Sequence, residues 1–269
     1  MLNLLELNSE VSFLNVWDSE WKKFNSRLRE RQILKNLYGL EKHQLYNYVK
    51  DCISKSTGPL KVLEAGCGSA LLTLQLARRF PIELHLIDIS LEALKIARRN
   101  AEKMSVDSVK IRQGDIRKIP YEDDFFDLAY SGGVNEHLSG VDRYISFREM
   151  LRVTRPGGFV CIHVPNSRCP PATIGKFLLK VLKLWSFGLE IPYSKDEVTS
   201  IINKLENVKS ARINVAGDSN FLSSLMWLPP LILCNFTRLE IPLRQCLGRI
   251  SLSLVDKCCG EWLSITMMK

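Results

Sequence analysis

Lys61-Val62-Leu63-Glu64-Ala65-Gly66-Cys67-Gly68-Ser69-Ala70 is the stretch on which the fold of this chain turns. An apolar strand ends in an acid, then turns through two glycines into the amphipathic segment 71–80. Glycine belongs where backbone bends sharply and a ligand approaches it closely. Leu71 stands where a G-x-G-x-x-G fingerprint wants its third glycine, which argues against a dinucleotide. A carboxylate at the strand end repels a pyrophosphate but welcomes a ligand that carries an ammonium group.

Outward from this turn the chain alternates strand and helix. Leu60 to Glu64 reads as a strand, 70–80 as a helix ended by Pro81, and Ile82 to Asp88 as a buried strand. Ser90 is a natural N-cap for a helix from Leu91 to Met104, with Leu91, Leu94, Ala97 and Ala101 on one face. Val109 to Gln113 and Phe125 to Ser131 read as further strands, the second entered from the acidic loop Glu122-Asp123-Asp124. Val141 to Val153 reads as a helix, and Pro156-Gly157-Gly158 turns it into a strand from Phe159 to Val164. Strands joined through single helices predict right-handed crossovers and a parallel sheet. A helix over Lys195 to Glu206 and strands over Val208 to Ala216 and Glu261 to Met268 follow.

Glu64, Gly66 and Gly68, then Asp88, then Gly114-Asp115-Ile116, then the loop Gly132-Gly133-Val134-Asn135-Glu136-His137-Leu138 occur in an order that resembles the class I S-adenosylmethionine-dependent methyltransferases. The resemblance is to small-molecule methyltransferases with a UbiE- and UbiG-like core, and it covers Leu60 to Pro165 best. It implies an α/β, doubly wound, seven-stranded and mostly parallel sheet of Rossmann-like methyltransferase type. It also implies that S-adenosylmethionine binds and leaves as S-adenosylhomocysteine. Glu64, Ala65, Gly66 and Gly68 would hold its methionine end, and Asp88 both ribose hydroxyls. Ile89 and Ile116 would wall the adenine, Asp115 would accept from its exocyclic amine, and Ser131 and Gly132 would flank the sulfonium. Ala70 replaces the frequent third glycine of the family motif.

Methyl transfer needs positioning and exclusion of water, and a base only where the acceptor must lose a proton. His137, beside the methyl-bearing loop, is the candidate general base, with loop anchor as its other reading. His163 is a second candidate near the end of a strand, while His43 and His85 read as ordinary helix and strand residues. No metal is assigned: Glu136-His137 has no second cluster of ligands in the sequence.

The chain has 269 residues, enough for one large core and an appended cap. We read 1–57 as a helical amino-terminal segment and 58–269 as the catalytic domain, with apolar insertions at about 167–193 and 217–257. Trp17 and Trp21, four apart, share a helix face that either packs on the domain or closes over the ligand. Eight cysteines without C-x-x-C pairs suggest neither zinc nor a disulfide scaffold, so a cytoplasmic setting is expected. The region before Glu10 lacks the basic start of a signal peptide, and Phe221 to Phe236 is short for a membrane span. Lys176, Lys180 and Lys183 fall opposite Phe177, Leu178, Val181, Leu182 and Trp185, as a solvated face over a buried one or as a contact with the inner membrane surface. With the apolar insert they suggest a small lipophilic acceptor (quinone-, polyketide- or lipid-like), a dimer interface or a peripheral membrane contact. The acceptor atom is left open among oxygen, carbon and nitrogen. A net charge of +8 invites anionic partners, but no basic stripe interleaved with aromatics points to nucleic acid. A non-catalytic binding module on the same fold and a nucleic-acid methyltransferase are the rival readings.

Overall fold

Parallel strands require crossovers of a dozen or more residues, and this chain supplies most of them as helices and one as the loop 114–125. The computed structural model describes residues 15–22, 44–54, 56, 58–182, 189–216 and 262–269. Its elements are helix α1 (15–22), α2 (Gln44–Ile53), β1 (Leu60–Ala65), α3 (Leu71–Arg79), β2 (Ile82–Asp88), α4 (Leu91–Lys103), β3 (Val109–Gln113), β4 (Phe126–Gly132), α5 (Val141–Val153), β5 (Thr154–Pro165), α6 (Pro170–Val181), α7 (Lys195–Asn203), β6 (Ser210–Ala216) and β7 (Trp262–Met268). The apolar insert expected at 217–257 lies outside the described residues, as do His43, Lys183 and Trp185.

One seven-stranded sheet runs in the order β3-β2-β1-β4-β5-β7-β6. β3, β2, β1, β4 and β5 are parallel, and β7 runs antiparallel between β5 and β6. The strand order reverses at β1–β4, so a crevice opens beyond the carboxyl ends of these strands. Glu64, Asp88 and Ser131 reach that one edge because their strands point the same way.

Alternate residues of each strand face opposite layers. Leu63, Ala65, Ala129 and Ile162 join Phe147, Met150 and Tyr193 in one core cluster. Leu60, Val62, Leu128 and Tyr130 join Leu74 of α3, Leu94 of α4 and Leu45 and Val49 of α2 in the other. A sheet covered on both faces is what near-continuous apolar strands demand.

Two local readings change. β5 starts at Thr154, not Phe159, and carries Pro156-Gly157-Gly158 as an irregularity: Phe126 pairs with Thr154 while Leu128 already pairs with Phe159. A Cβ at Gly158 would lie 2.8 Å from the Asp127 carbonyl oxygen, so only glycine lets the strands close there. In α6 the solvated and buried faces are partly exchanged. Lys176 is buried and pairs with Glu190 at 2.5 Å, whereas Ile174, Phe177, Val181 and Leu182 are exposed.

α3 begins without a side-chain cap, at Ala70, whose φ of 54° is left-handed. A Cβ makes that conformation costly, by about 1–2 kcal/mol. Ala70→Gly relieves the strain but loosens the unfolded chain, for a net gain of roughly 0.5–1 kcal/mol. Thermal unfolding is expected to rise by about 1–4 °C.

Candidate functional site

Gly66, Gly68 and Ala70 all take positive φ (72°, 51° and 54°), so the turn after β1 curls tightly. The amides of Gly66 and Cys67 both donate to the Ile87 carbonyl, at 2.8 and 2.9 Å, which locks the turn onto the end of β2. Asp88 completes the lock: its Oδ2 accepts from Gly68 N–H at 2.8 Å and its Oδ1 from Ser90 N–H at 2.9 Å. Burial pushes Asp88 up to about 6 in spite of these bonds. Glu64 is buried beneath the turn and is pushed up to about 8, chiefly by burial. The bond donated by the Thr73 hydroxyl opposes this and the Asp88 charge adds to it. An ammonium group seated beside two such acids relieves both desolvation and mutual repulsion.

A cleft with about 610 Å³ of empty space, part of it open to solvent, lies over this turn. Its walls include Gly66, Asp88, Ile89, Asp115, Ile116 and His137, six of the residues singled out from the sequence. The other five stand deeper. Glu64 and Ala65 are buried, and Gly68 lies under the Trp21 ring. The Ser131 hydroxyl accepts from the Asn135 amide at 3.3 Å, and the Tyr130 hydroxyl covers Gly132.

Asp115 does not stand alone. Arg117 Nη2 meets its Oδ2 at 2.6 Å, Nε lies 3.1 and 3.0 Å from its two oxygens, and Arg117 Nη1 reaches Asp142 at 3.0 Å. Arg117 also lines the cleft, so this wall is an ion-pair network. The sequence reading passed over Arg117; its spacing of two from Asp115 was the available signal.

α1 spans the cleft. Trp17 stacks edge-on against His137 at 4.6 Å, Asp18 Oδ1 accepts from the Ser90 hydroxyl at 2.5 Å, and Trp21 packs on Gly68. Both tryptophans line the cavity, which favours closure over a ligand among their two readings. His137 Nδ1 lies 2.6 Å from the Leu189 carbonyl, so Nδ1 carries the proton and donates. Burial holds His137 below the usual imidazole range, so it is neutral near pH 7 and also anchored. His163 bonds the Ser264 hydroxyl at 2.9 Å and meets the Tyr130 ring edge-on. His85 sits among Tyr121, Phe125 and Phe126. Among the described residues no group of three or more His, Cys, Asp or Glu side chains is placed to hold a metal, and no helix is long and apolar enough to cross a membrane.

Residues 63–162 match the family model of the methyltransferase domain. The chain is 36% identical over 115 residues to ajmaline N-methyltransferase of Rauvolfia serpentina, covering 42% of this chain and 39% of that protein. It is 30% identical over 143 residues to the ubiquinone/menaquinone biosynthesis C-methyltransferase UbiE of Idiomarina loihiensis, covering 52% of this chain and 56% of that protein. The chain therefore spans about half the length, or less, of these curated relatives. Among solved structures, the cyclase SpnF shares the fold with a TM-score of 0.52 at 18% identity, over 83% of this chain and 78% of that one. Residues 63–162 carry the match to the methyltransferase-domain model, and the sheet is the Rossmann-like sheet seen in class I methyltransferases.

A Cβ at Gly68 would lie 2.5 Å from Trp21 Cζ2, at a φ of 51°. Gly140 has a similar φ of 55° but open space around it. Gly68→Ala is expected to cost about 1–3 kcal/mol and to shift tryptophan emission to the red as Trp21 leaves its seat. Gly140→Ala should show the backbone strain without the shift. Equal spectra for the two variants would mean that Trp21 does not rest on Gly68.

Proposed function

We propose that this chain is an S-adenosylmethionine-dependent methyltransferase acting on oxygen, carbon or nitrogen of a small acceptor with substantial apolar surface. The observation that carries the reading is the cleft itself: Gly66, Asp88, Ile89, Asp115 and Ile116 come from the ends of three successive strands and face one cavity. Its chemistry fits the cofactor. Asp88 in the wall can accept from a pair of hydroxyls, Ile89 and Ile116 offer aliphatic faces to an aromatic base, Glu64 lies deeper beneath the turn as a partner for an ammonium, and a Cβ at Gly66 would strike Val134. When bound, the cofactor supplies an activated methyl group on a sulfonium centre.

The residues of the chain do the rest. Asp88, with each oxygen already fixed by a backbone amide, holds its outer lone pairs in a set direction and orients the ribose. Glu64 balances the positive end. Trp17 and Trp21 exclude water from the cleft. His137, held neutral and aimed by Leu189, is in the state that a base requires when the acceptor must give up a proton. Exposed Ile174, Phe177, Val181 and Leu182 support a lipophilic acceptor or a peripheral membrane contact at a cytoplasmic site.

Calorimetry with S-adenosylhomocysteine should show binding in the micromolar range, about −8 kcal/mol, lost in Asp88→Ala. Labelled S-adenosylmethionine should then pass its methyl group to a component of a metabolite or lipid extract. Wild-type protein that binds no S-adenosylhomocysteine would move the chain to the non-catalytic reading.

The acids also set a pH dependence. Glu64, at about 8, is largely protonated in the empty cleft at pH 7, and an ammonium partner holds it ionised. The complex therefore carries fewer protons than the free protein, and affinity rises with pH. Between pH 7 and 8, above the titration of Asp88, S-adenosylhomocysteine should bind more tightly by up to about tenfold. Glu64→Gln should flatten that profile; an unchanged slope would remove Glu64 from this role.

A further inference from the structure

Glu136 carries a buried carboxyl that the cofactor cleft does not use. The residue is 3% exposed, and its Oε2 has no hydrogen-bond partner among the described residues. A buried polar atom without a partner is costly, so a purely packing role is better served by an apolar side chain of the same size.

Its position points to a ligand. Glu136 lies on the short 3-10 turn Asn135–His137 that follows β4. Gly133, two residues before that turn, lines the cleft, and a Cβ placed on it would meet one atom within 4 Å, Glu136 Oε1 at 3.7 Å. The bare face of Gly133 thus looks onto this carboxyl.

The surrounding charges are already matched. From α6, Lys176 pairs with Glu190 at 2.5 Å; from α5, Arg143 pairs with Glu197 at 2.5 Å and also donates to the Leu138 and Ile191 carbonyls. Ile191 N–H donates to the Glu136 carbonyl at 2.8 Å, which ties segment 189–191 to the same turn. An anionic ligand here would face both Glu136 and Glu190. A ligand with a positive N–H group would bring what the carboxyl lacks.

We propose that Glu136 is the recognition group for the methyl acceptor, its carboxyl, which faces Gly133 through Oε1, taking the N–H of an amphipathic amine seated beside Gly133. This rests on the methyltransferase reading and narrows its acceptor to amines. Burial, opposed by a bond from its own backbone amide and by the Lys176 and Arg143 charges and aided by Glu190, pushes Glu136 up to about 8, while burial holds His137 beside it below the usual imidazole range. At pH 7 the empty site therefore holds a protonated Glu136, and binding an ammonium releases that proton.

The test is calorimetry on the full chain saturated with S-adenosylhomocysteine, in two buffers of different ionisation enthalpy at pH 7. The probes are aryl-alkyl amines, phenethylamine the smallest, each matched to the alcohol and the carboxylate of the same skeleton. Amines should bind at least tenfold more tightly than their matched alcohols and carboxylates, releasing close to one proton. E136Q should lose at least tenfold in amine affinity and the proton release, keep its affinity for S-adenosylhomocysteine, and melt no lower than wild type at pH 8.5. Alcohols binding as well as amines, no amine binding, amine affinity unchanged in E136Q, or a lower melting temperature for E136Q would each overturn the proposal. Failure of wild type to bind S-adenosylhomocysteine would instead count against the methyltransferase reading; the amine titrations of the unloaded chain and of E136Q would then decide Glu136 alone.

Discussion

Asp88 receives two backbone hydrogen bonds, from Gly68 and from Ser90, and the geometry of the cleft depends on them. One fastens the turn after β1, the other the start of α4, so two crossovers share a single carboxylate. Ser90 passes the connection on: its hydroxyl accepts from Ala93 N–H as the N-cap of α4 and donates to Asp18 of α1. The glycine turn, the loop after β2 and the overlying helix are thus positioned relative to one another through one side chain. Charge-assisted bonds of this kind are stronger than neutral ones, and a buried acceptor left without them is expensive.

The acids at this edge of the sheet share a second property. Glu64, Asp88 and Glu136 are all buried and all pushed upward by desolvation, to about 8, 6 and 8. A carboxyl whose folded value is raised above its unfolded one withdraws stability as pH rises from the unfolded value through the folded one. The fold bears this cost at its ligand edge, in a chain whose overall charge is +8. Net charge and site charge have opposite sign here, which is why composition pointed to anionic partners while the cleft suits cationic groups.

Strands β1, β2 and β4 were legible because largely apolar runs of six or seven residues punctuated by Gly, Pro or acid have few other solutions, and β3 because Val109 and Ile111 alternate with Lys110 and Arg112. The cleft residues Gly66, Asp88, Asp115 and Ile116 were legible for a related reason: they follow strand ends, and parallel strands bring such positions together. Side-chain partners remote in sequence were not. Lys176 looked like a solvated lysine because its neutralising Glu190 lies fourteen residues on in the sequence. Thr154 to Gly158 looked like a turn because proline and two glycines normally end a strand; the irregular pairing with β4 absorbs them. Trp17 and Trp21 could be placed on one face by spacing, but what that face covered depended on Gly68 and His137, far along the chain.

The placement of β7 bears on how the molecule assembles during synthesis. Among the described residues β6 joins the sheet only through β7, which pairs with β5 on its other side. Residues 210–216 thus leave the ribosome before the strand that will hold them exists, and the five parallel strands can collapse around their helices in the meantime. The sheet acquires its final width only when 262–268 thread into the gap, a late and non-local event of the type that slows folding and exposes unpaired edges. For this chain the interval before that insertion is when chaperones would matter most.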